Sequence, residues 1–470
     1  MRRWVLGVVG VVALSVRLTP ILTGGGLRFW GRYDDGVYYT ASASLLDGRL
    51  PYRDFVLLHP PLITLVLLPF TLLGRLTSDP TGLVAARITW MLLGAATAVL
   101  VARYAGRWGT PAALVAGLWF ACSASAGYAA QTTFIEPAAD LAMFGGVVLL
   151  SGDRVRPRRD LVAGLLLGIA LTGKIWYVVP VGAVLIATLL DRRRASAARA
   201  GGVAVAAATA ILLPFFALAP REMWHMVVFD QLSRPRHGRT SVIDRLGTAV
   251  GGRALGVSPN LGHVITALAT AVFAVALVVC LRERRTRPVA AVALGTVGVL
   301  LVSPVVFHHY GDFTAASVAV TVAAGWSLLL RQVTVRRFAA GLGVVALVAS
   351  GLAVATQPKG RIFPAVATAS LPKGCITADD PTTLILANRL SSDLRAGCDV
   401  AVDVTGASYG VRVGRGKDLA YQDWLHAYLR SGSAMIVARR RHDGLHKSAV
   451  PALGTQVVND GIVHVLTPSA

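Results

Sequence analysis

Long apolar runs dominate the chain, and short basic segments interrupt them. The runs fall at about residues 4–22, 83–102, 109–129, 137–151, 161–176, 177–190, 200–218, 262–281, 288–306, 312–330 and 338–355. A helix crossing a bilayer needs about 20 apolar residues, fewer where flanking arginines reach past its ends. The pattern therefore predicts about eleven transmembrane helices over residues 1–355. After 356 the periodicity changes. CDVAVDV (398–404) and SAMIVARR (433–440) suit strands, LAYQDWLHAYLR (419–430) a helix and VVNDGIVHVL (457–466) a hairpin. The expected fold is an α-helical polytopic membrane protein followed by a small α/β domain, 356–470.

Composition and charge fix the class and the orientation. Of 470 residues, 54% are hydrophobic and 15% charged, with a net charge of +22. A soluble domain carries roughly a quarter charged residues, so a soluble nucleic-acid binder is excluded, and the hydrophobicity excludes disorder. Six segments (Arg2 and Arg3, Arg103 and Arg107, Arg154 to Arg159, Arg192 to Arg199, Arg282 to Arg287, Arg331 to Arg337) hold 19 arginines against four acids. They account for 15 of the 22 excess charges, and the positive-inside rule places them in the cytoplasm. The N-terminus is then inside, with an uncleaved first span. The loops 23–82 and 219–261 and the tail lie outside. Counting the Pro-interrupted LITLVLLPFTLLG (62–74) as a span would reverse every later basic segment, so it is expected as an interfacial or re-entrant helix. No G-x-x-x-x-G-K-[ST] segment is present, which argues against ATP-driven transport by this chain.

Candidate chemistry gathers outside. In GRYDDGVYYTASASLLDGRLPYRDFVLLHPPL (31–62), Val37, Tyr38, Ala41, Leu45 and Leu46 recur at helical spacing and Gly48 ends the pattern. This predicts a short amphipathic helix on the outer membrane surface, with Asp34 and Asp35 at its start. Aspartates there are ordinarily caps. Beside a membrane, two adjacent carboxylates can also supply a general base. Lys174, the only lysine before residue 359, falls near the outer end of the fifth span. It is a candidate for a substrate phosphate or a snorkelling interfacial residue. Arg234, Arg236, His237 and Arg239 form a second external cluster, equally compatible with a headgroup-facing loop. Cys375 and Cys398 lie in the tail on the oxidising side, where a disulfide is expected; Cys122 and Cys280 lie within spans. The histidines are dispersed, with no H-E-x-x-H and no paired C-x-x-C.

The Asp pair after the first span, then Y-x-x-A-x-x-L-L-x-G-x-x-P-Y-R-D-F and H-P-P-L, resembles the integral-membrane GT-C glycosyltransferase superfamily. The likeness is to its actinobacterial members that use polyprenyl-phosphate mannose or arabinose. It continues in FIEPAAD (Glu136), LTGK (Lys174), HHYGD (His308 to Asp312) and the tail's GCITADDP and GCDVAVD. The resemblance implies an inverting transfer of a sugar, mannose favoured over arabinose, from a polyprenyl-phosphate donor to a lipid, glycan or protein acceptor. The reaction would take place on the outer face of a bacterial plasma membrane. It implies a first-loop base at Asp34 or Asp35, between which sequence does not choose. Donor-phosphate or substrate contacts are then expected among His59, Glu136, Lys174, Arg234, His308, His309 and Tyr310. Pro137 after Glu136 also fits a plain helix start, and His309–Tyr310 fits interface anchoring. Some members of the superfamily hold a divalent cation on a D-x-D pair. Asp34 and Asp35 are adjacent, so no cofactor is expected, with a divalent cation left open. A lipid or sugar transporter and a non-catalytic scaffold are the alternatives. The transporter expects internal repeats, and none is clear.

Overall fold

The computed structural model describes residues 3–468 apart from 32, 153–155, 192, 235–239, 252–257, 331, 409–413, 440–443, 447–448 and 460–462. Helices occupy each of the eleven predicted stretches. The 109–129 stretch forms two, Thr110–Cys122 and Ala124–Ala130, bent by 57°. Ser123 makes the bend: its backbone turns extended, and its hydroxyl accepts the Ala126 N–H at 3.3 Å. Among the described residues, six helices are long and apolar enough to cross a membrane, seven if the bent pair is one span. Length and apolarity alone thus support fewer crossings than eleven.

The chain divides into two compact units. The first comprises residues 1–20, 88–212 and 236–358. Its centre is the helix Asp312–Leu329, buried at every position from Asp312 to Gly325. Helices hydrophobic all round belong in such central positions. Outer helices instead expose Val205, Leu268, Phe338 and Val345, as a lipid-facing surface requires. Small residues set the spacing. Gly164 and Gly168, one turn apart on Pro157–Leu171, meet the Arg194–Leu218 helix. A Cβ on Gly164 would lie 2.5 Å from the Ala200 carbonyl oxygen, and one on Gly168 2.6 Å from that of Ala204. This is close small-residue packing of the kind that holds membrane helices together.

The second unit comprises residues 21–87, 213–235 and 359–470. Its four-stranded sheet has β1 (Ile376–Ala378), β2 (Ala434–Val437), β3 (Gly454–Asn459) and β4 (His464–Pro468) in the order β1-β2-β4-β3. β1 runs parallel to β2, and the other pairs are antiparallel. Cys375 and Cys398 are bonded beside β1, with Cα atoms 5.5 Å apart. One hydrophobic core joins the sheet to the first loop: Trp30, Tyr39, Ala43 and Leu83 pack with Ile376, Leu384, Ile436 and Val465. The tail also fixes the start of the Asp79–Ala105 helix. There Asp79 N–H donates to Asn388 Oδ1 at 2.9 Å, and Ser391 N–H donates to Asp79 Oδ2 at 2.9 Å.

Three expectations are corrected, and that for the 62–74 segment is refined. The first-loop helix, Tyr33–Leu46, begins where predicted but is not amphipathic at a surface. Every residue from Asp35 to Ser44 is buried, because the tail helix Pro381–Leu386 packs on it together with Leu62–Val66 and Leu68–Leu76. The 62–74 segment is two short helices, with Pro69 in the first turn of the second, where its missing N–H is tolerated. Helix five ends at Leu171 rather than 176, and Gly173, whose Cβ would lie 2.9 Å from that of Ala139, turns the chain. CDVAVDV is not a strand. Val400, Val402 and Val404 are buried in alternation, yet side chains take the backbone bonds. Tyr428 Oη accepts the Ala401 N–H at 3.2 Å, and Arg49 donates to the Val400 carbonyl at 2.9 Å.

Asp379, fully buried after β1, accepts the Ala438 and Arg439 N–H groups at 2.8 Å each. Burial outweighs these bonds and pushes its carboxyl up to about 7. The folded state therefore binds this proton more tightly than the unfolded chain, in which an Asp titrates near ~3.9. The stability contributed is full below about pH 4 and is lost as pH rises through about 7. In denaturation at a series of pH values, the stability difference between wild type and Asp379→Asn is expected to fall across that window and flatten above it. A difference that does not change with pH counts against this.

Candidate functional site

In the second unit the helix Tyr33–Leu46 presents the Asp pair in its first turn. The two carboxylates differ sharply. Asp35 is completely buried and ion-paired to Arg87, also completely buried, whose Nε donates to Asp35 Oδ2 at 2.8 Å and whose Nη2 bonds the same oxygen. Arg87 Nη1 donates to the Leu27 and Phe29 carbonyls at 2.9 and 3.0 Å, and the guanidinium lies 3.9 Å from the Phe29 ring centroid. This is a structural lock, with both charges placed by several hydrogen bonds. Asp34 is only partly buried. Four residues on, and so on the same helix face, the Tyr38 ring lies 6.1 Å from that of His59. His59 is held from behind, since Tyr52 Oη donates to its carbonyl at 2.8 Å and Gln231 Nε2 to that of Leu58 at 2.7 Å. Arg234 follows two residues after the short helix Asp230–Leu232 and is partly buried. Arg236, His237 and Arg239 lie outside the described residues.

In the first unit, helix ends bring four of the predicted residues together. Glu136 opens the helix Glu136–Leu150, Lys174 sits in the extended turn after Leu171, and His309 and Tyr310 belong to the 3-10 turn that leads into Asp312–Leu329. All four are buried. Lys174 Nζ pairs with Glu136 Oε1 at 2.5 Å, and His309 Nε2 lies 3.7 Å from that oxygen. The ammonium stands 4.6 Å from the Tyr310 ring centroid and 5.4 Å from that of Trp176. Phe134 stacks on the His309 ring at 4.3 Å, and the Trp90 Nε1–H holds the Phe134 carbonyl at 2.6 Å. His308 departs from the group: it is exposed, edge-on to Tyr128 at 5.5 Å. Glu136 Oε2 is buried with no hydrogen-bond partner among the described residues. The cluster thus offers an anion the Lys174 ammonium and, when protonated, the His309 imidazole, and offers a hydroxyl the Glu136 Oε2 acceptor.

Sequence reasoning missed Arg87, Arg17 and the buried acids around this cluster. Tyr177 Oη donates to Asp140 Oδ1 at 2.5 Å, and Arg17, fully buried, donates to the Ala13 and Ala121 carbonyls at 2.9 and 3.1 Å. The available signal was an ionisable residue inside an apolar run, which is costly in lipid and marks an internal contact. Among the described residues no group of three or more His, Cys, Asp or Glu side chains is arranged to hold a metal ion.

The profile of glycosyltransferase family 87 matches residues 57–304, just over half the chain. The chain belongs to glycosyltransferase family 87. The matched stretch includes His59, Glu136, Lys174 and Arg234, while Asp34, Asp35 and the His308–Tyr310 turn lie outside it. Solved structures agree on the architecture. The chain is similar to ArnT from Cupriavidus metallidurans bound to undecaprenyl phosphate, with a TM-score of 0.65 and 16% identity, over 99% of this chain and 98% of that one. It is also similar to the archaeal oligosaccharyltransferase AglB from Archaeoglobus fulgidus, in complex with an inhibitory peptide and a dolichol-phosphate. There the TM-score is 0.59 and the identity 11%, over 93% of this chain and 69% of that one. At such identities the likeness is one of fold, and the fold of this family 87 protein is that of the GT-C membrane glycosyltransferases. No curated protein matches the chain at a significant level.

Proposed function

We propose that this family 87 protein is an inverting glycosyltransferase that moves a sugar from polyprenyl phosphate to a hydroxyl of a cell-envelope acceptor, on the outer face of a bacterial plasma membrane. The observation that carries the reading is the asymmetry of the Asp pair. Asp35 is sealed against Arg87, and Asp34 is the partly exposed carboxylate of the two. Asp34 takes the proton of the acceptor hydroxyl. The oxygen attacks the anomeric carbon, and the bond to the phosphate oxygen breaks with its electron pair leaving on polyprenyl phosphate. The configuration inverts. One carboxylate suffices because the phosphate departs without being protonated, unlike the leaving groups of glycosidases. On the sequence resemblance, Lys174 and, when protonated, His309 are proposed as partners for the leaving phosphate, and His59 and Arg234 as substrate contacts. The reaction as drawn uses no metal ion. Mannose is the proposed sugar, on the first-loop resemblance, and arabinose is its rival.

The test is purified protein incubated with polyprenyl-phosphate mannose or polyprenyl-phosphate arabinose and a panel of envelope acceptors. Release of polyprenyl phosphate and a product of opposite anomeric configuration are expected with one donor. If neither is consumed with any acceptor, in membranes or in detergent, the reading fails; movement of intact donor across vesicles would favour a transporter. The Lys174–Glu136 pair has its own test. Lys174→Met alone strands the buried Glu136 carboxylate, so Lys174→Met/Glu136→Gln is the cleaner variant. Losing one charge-assisted contact is worth about 1.5–3 kcal/mol, so its Kd for donor should rise roughly ten- to a hundred-fold. Unchanged donor affinity would remove Lys174 from the site.

A further inference from the structure

Tyr33 opens the helix that carries Asp34, and the C-terminal sheet domain holds its side chain through three contacts. Its hydroxyl donates to Asp403 Oδ1 at 2.8 Å and accepts the Thr405 N–H at 2.9 Å. The Arg439 guanidinium lies 3.8 Å from the ring centroid. Burial, and after it the Asp403 carboxylate, holds the Tyr33 hydroxyl well above its usual range, so it stays a donor. The partners are themselves fixed. Asp403 Oδ1 also accepts Gly406 N–H at 2.9 Å and Thr405 Oγ1–H at 3.0 Å, and Asp379 holds the Arg439 backbone. Just beyond the Asp pair a second contact closes on the same helix. A Cβ on Gly36 would lie 2.3 Å from Thr382 Oγ1, and Thr382 N–H is capped by Asp380 at 2.9 Å.

The first turn of a helix has no intrahelical partners for its N–H groups and frays readily. A general base placed there moves with the fraying, whereas catalysis needs it within ~0.5 Å of its productive position. We propose that the C-terminal domain is part of the catalytic apparatus through Tyr33. Tyr33 is a positioning residue, clamped by Asp403, Thr405 and Arg439, that fixes the helix turn bearing Asp34. This rests on Asp34 being the base, and it assigns the domain to turnover rather than to capture of the donor.

The experiment uses the full chain and polyprenyl-phosphate mannose, or polyprenyl-phosphate arabinose if that is the donor consumed, following release of polyprenyl phosphate. Tyr33→Phe deletes both hydroxyl bonds, Asp403→Ala deletes their anchor, and Asp403→Asn keeps an acceptor oxygen in place. Since a misplacement of about 1 Å costs on the order of 100-fold, kcat is expected to fall about ten- to a hundred-fold in Tyr33→Phe and Asp403→Ala, with KM for donor unchanged. Asp403→Asn should recover most of that loss, which also excludes general unfolding as its cause. A raised KM at wild-type kcat would overturn the proposal in favour of substrate binding, and wild-type values throughout would overturn it outright. Asp34→Asn is assayed alongside. If it is inactive while Tyr33→Phe is fully active, the positioning role alone falls; if Asp34→Asn is active, the base assignment falls and the positioning role with it.

Discussion

Asp34→Asn is expected to lower sugar transfer by about 100- to 10,000-fold, the range associated with removing a general base. Asparagine keeps the size and the hydrogen-bonding oxygen but does not accept a proton at neutral pH. Asp34 is only partly buried, and the neighbouring Asp35–Arg87 pair remains, so folding should be unaffected. Donor affinity should also hold, because the loss belongs to the transition state and not to the ground state. The measurement is kcat beside donor Kd and melting temperature in one detergent. Turnover within a few-fold of wild type would show that another group takes the proton.

Arg87→Met is expected to act through stability. It strands a fully buried Asp35 carboxylate and also removes the donor to the Leu27 and Phe29 carbonyls. Removing one partner of a buried pair typically costs about 3–5 kcal/mol, because the other charge stays in a medium of low dielectric. The double variant Arg87→Met/Asp35→Asn should regain part of this, since the stranded charge is gone while the two carbonyls remain unsatisfied. Denaturation in detergent micelles reads both variants. An Arg87→Met protein as stable as wild type would mean that water reaches Asp35 and that the pair is not sealed. The two variants separate the carboxylates by role, Asp34 by turnover and Asp35 by stability.

Several site features were legible locally. The helix start at the Asp pair could be read from apolar spacing and Lys174 from its place at the end of an apolar run, whereas Glu136 and His309 were reached through the motif resemblance. Tyr310 was legible as half of a motif, though not as the ring beneath the Lys174 ammonium. Arg87 was passed over because it sits within an apolar run, 52 residues from its partner Asp35. The Tyr33–Asp403 bond spans 370 positions and leaves no periodic trace. Val400, Val402 and Val404 show the opposite failure. Their alternation is real and was read correctly, but alternation reports burial and not ladder formation, and side chains satisfied that backbone instead.

The sequence by itself determined the class of protein and the placement of its helices. Apolar run length and the six basic segments are one-dimensional consequences of a bilayer's thickness and charge asymmetry. It also narrowed the proposed base to two adjacent aspartates. The proposed preference for Asp34 rests on the tertiary structure, because desolvation and ion pairing depend on what packs around a group and not on its neighbours in the chain. Contacts between distant segments sealed Asp35 with Arg87, drew Lys174 and His309 onto Glu136, and buried the first-loop helix in a core shared with the tail.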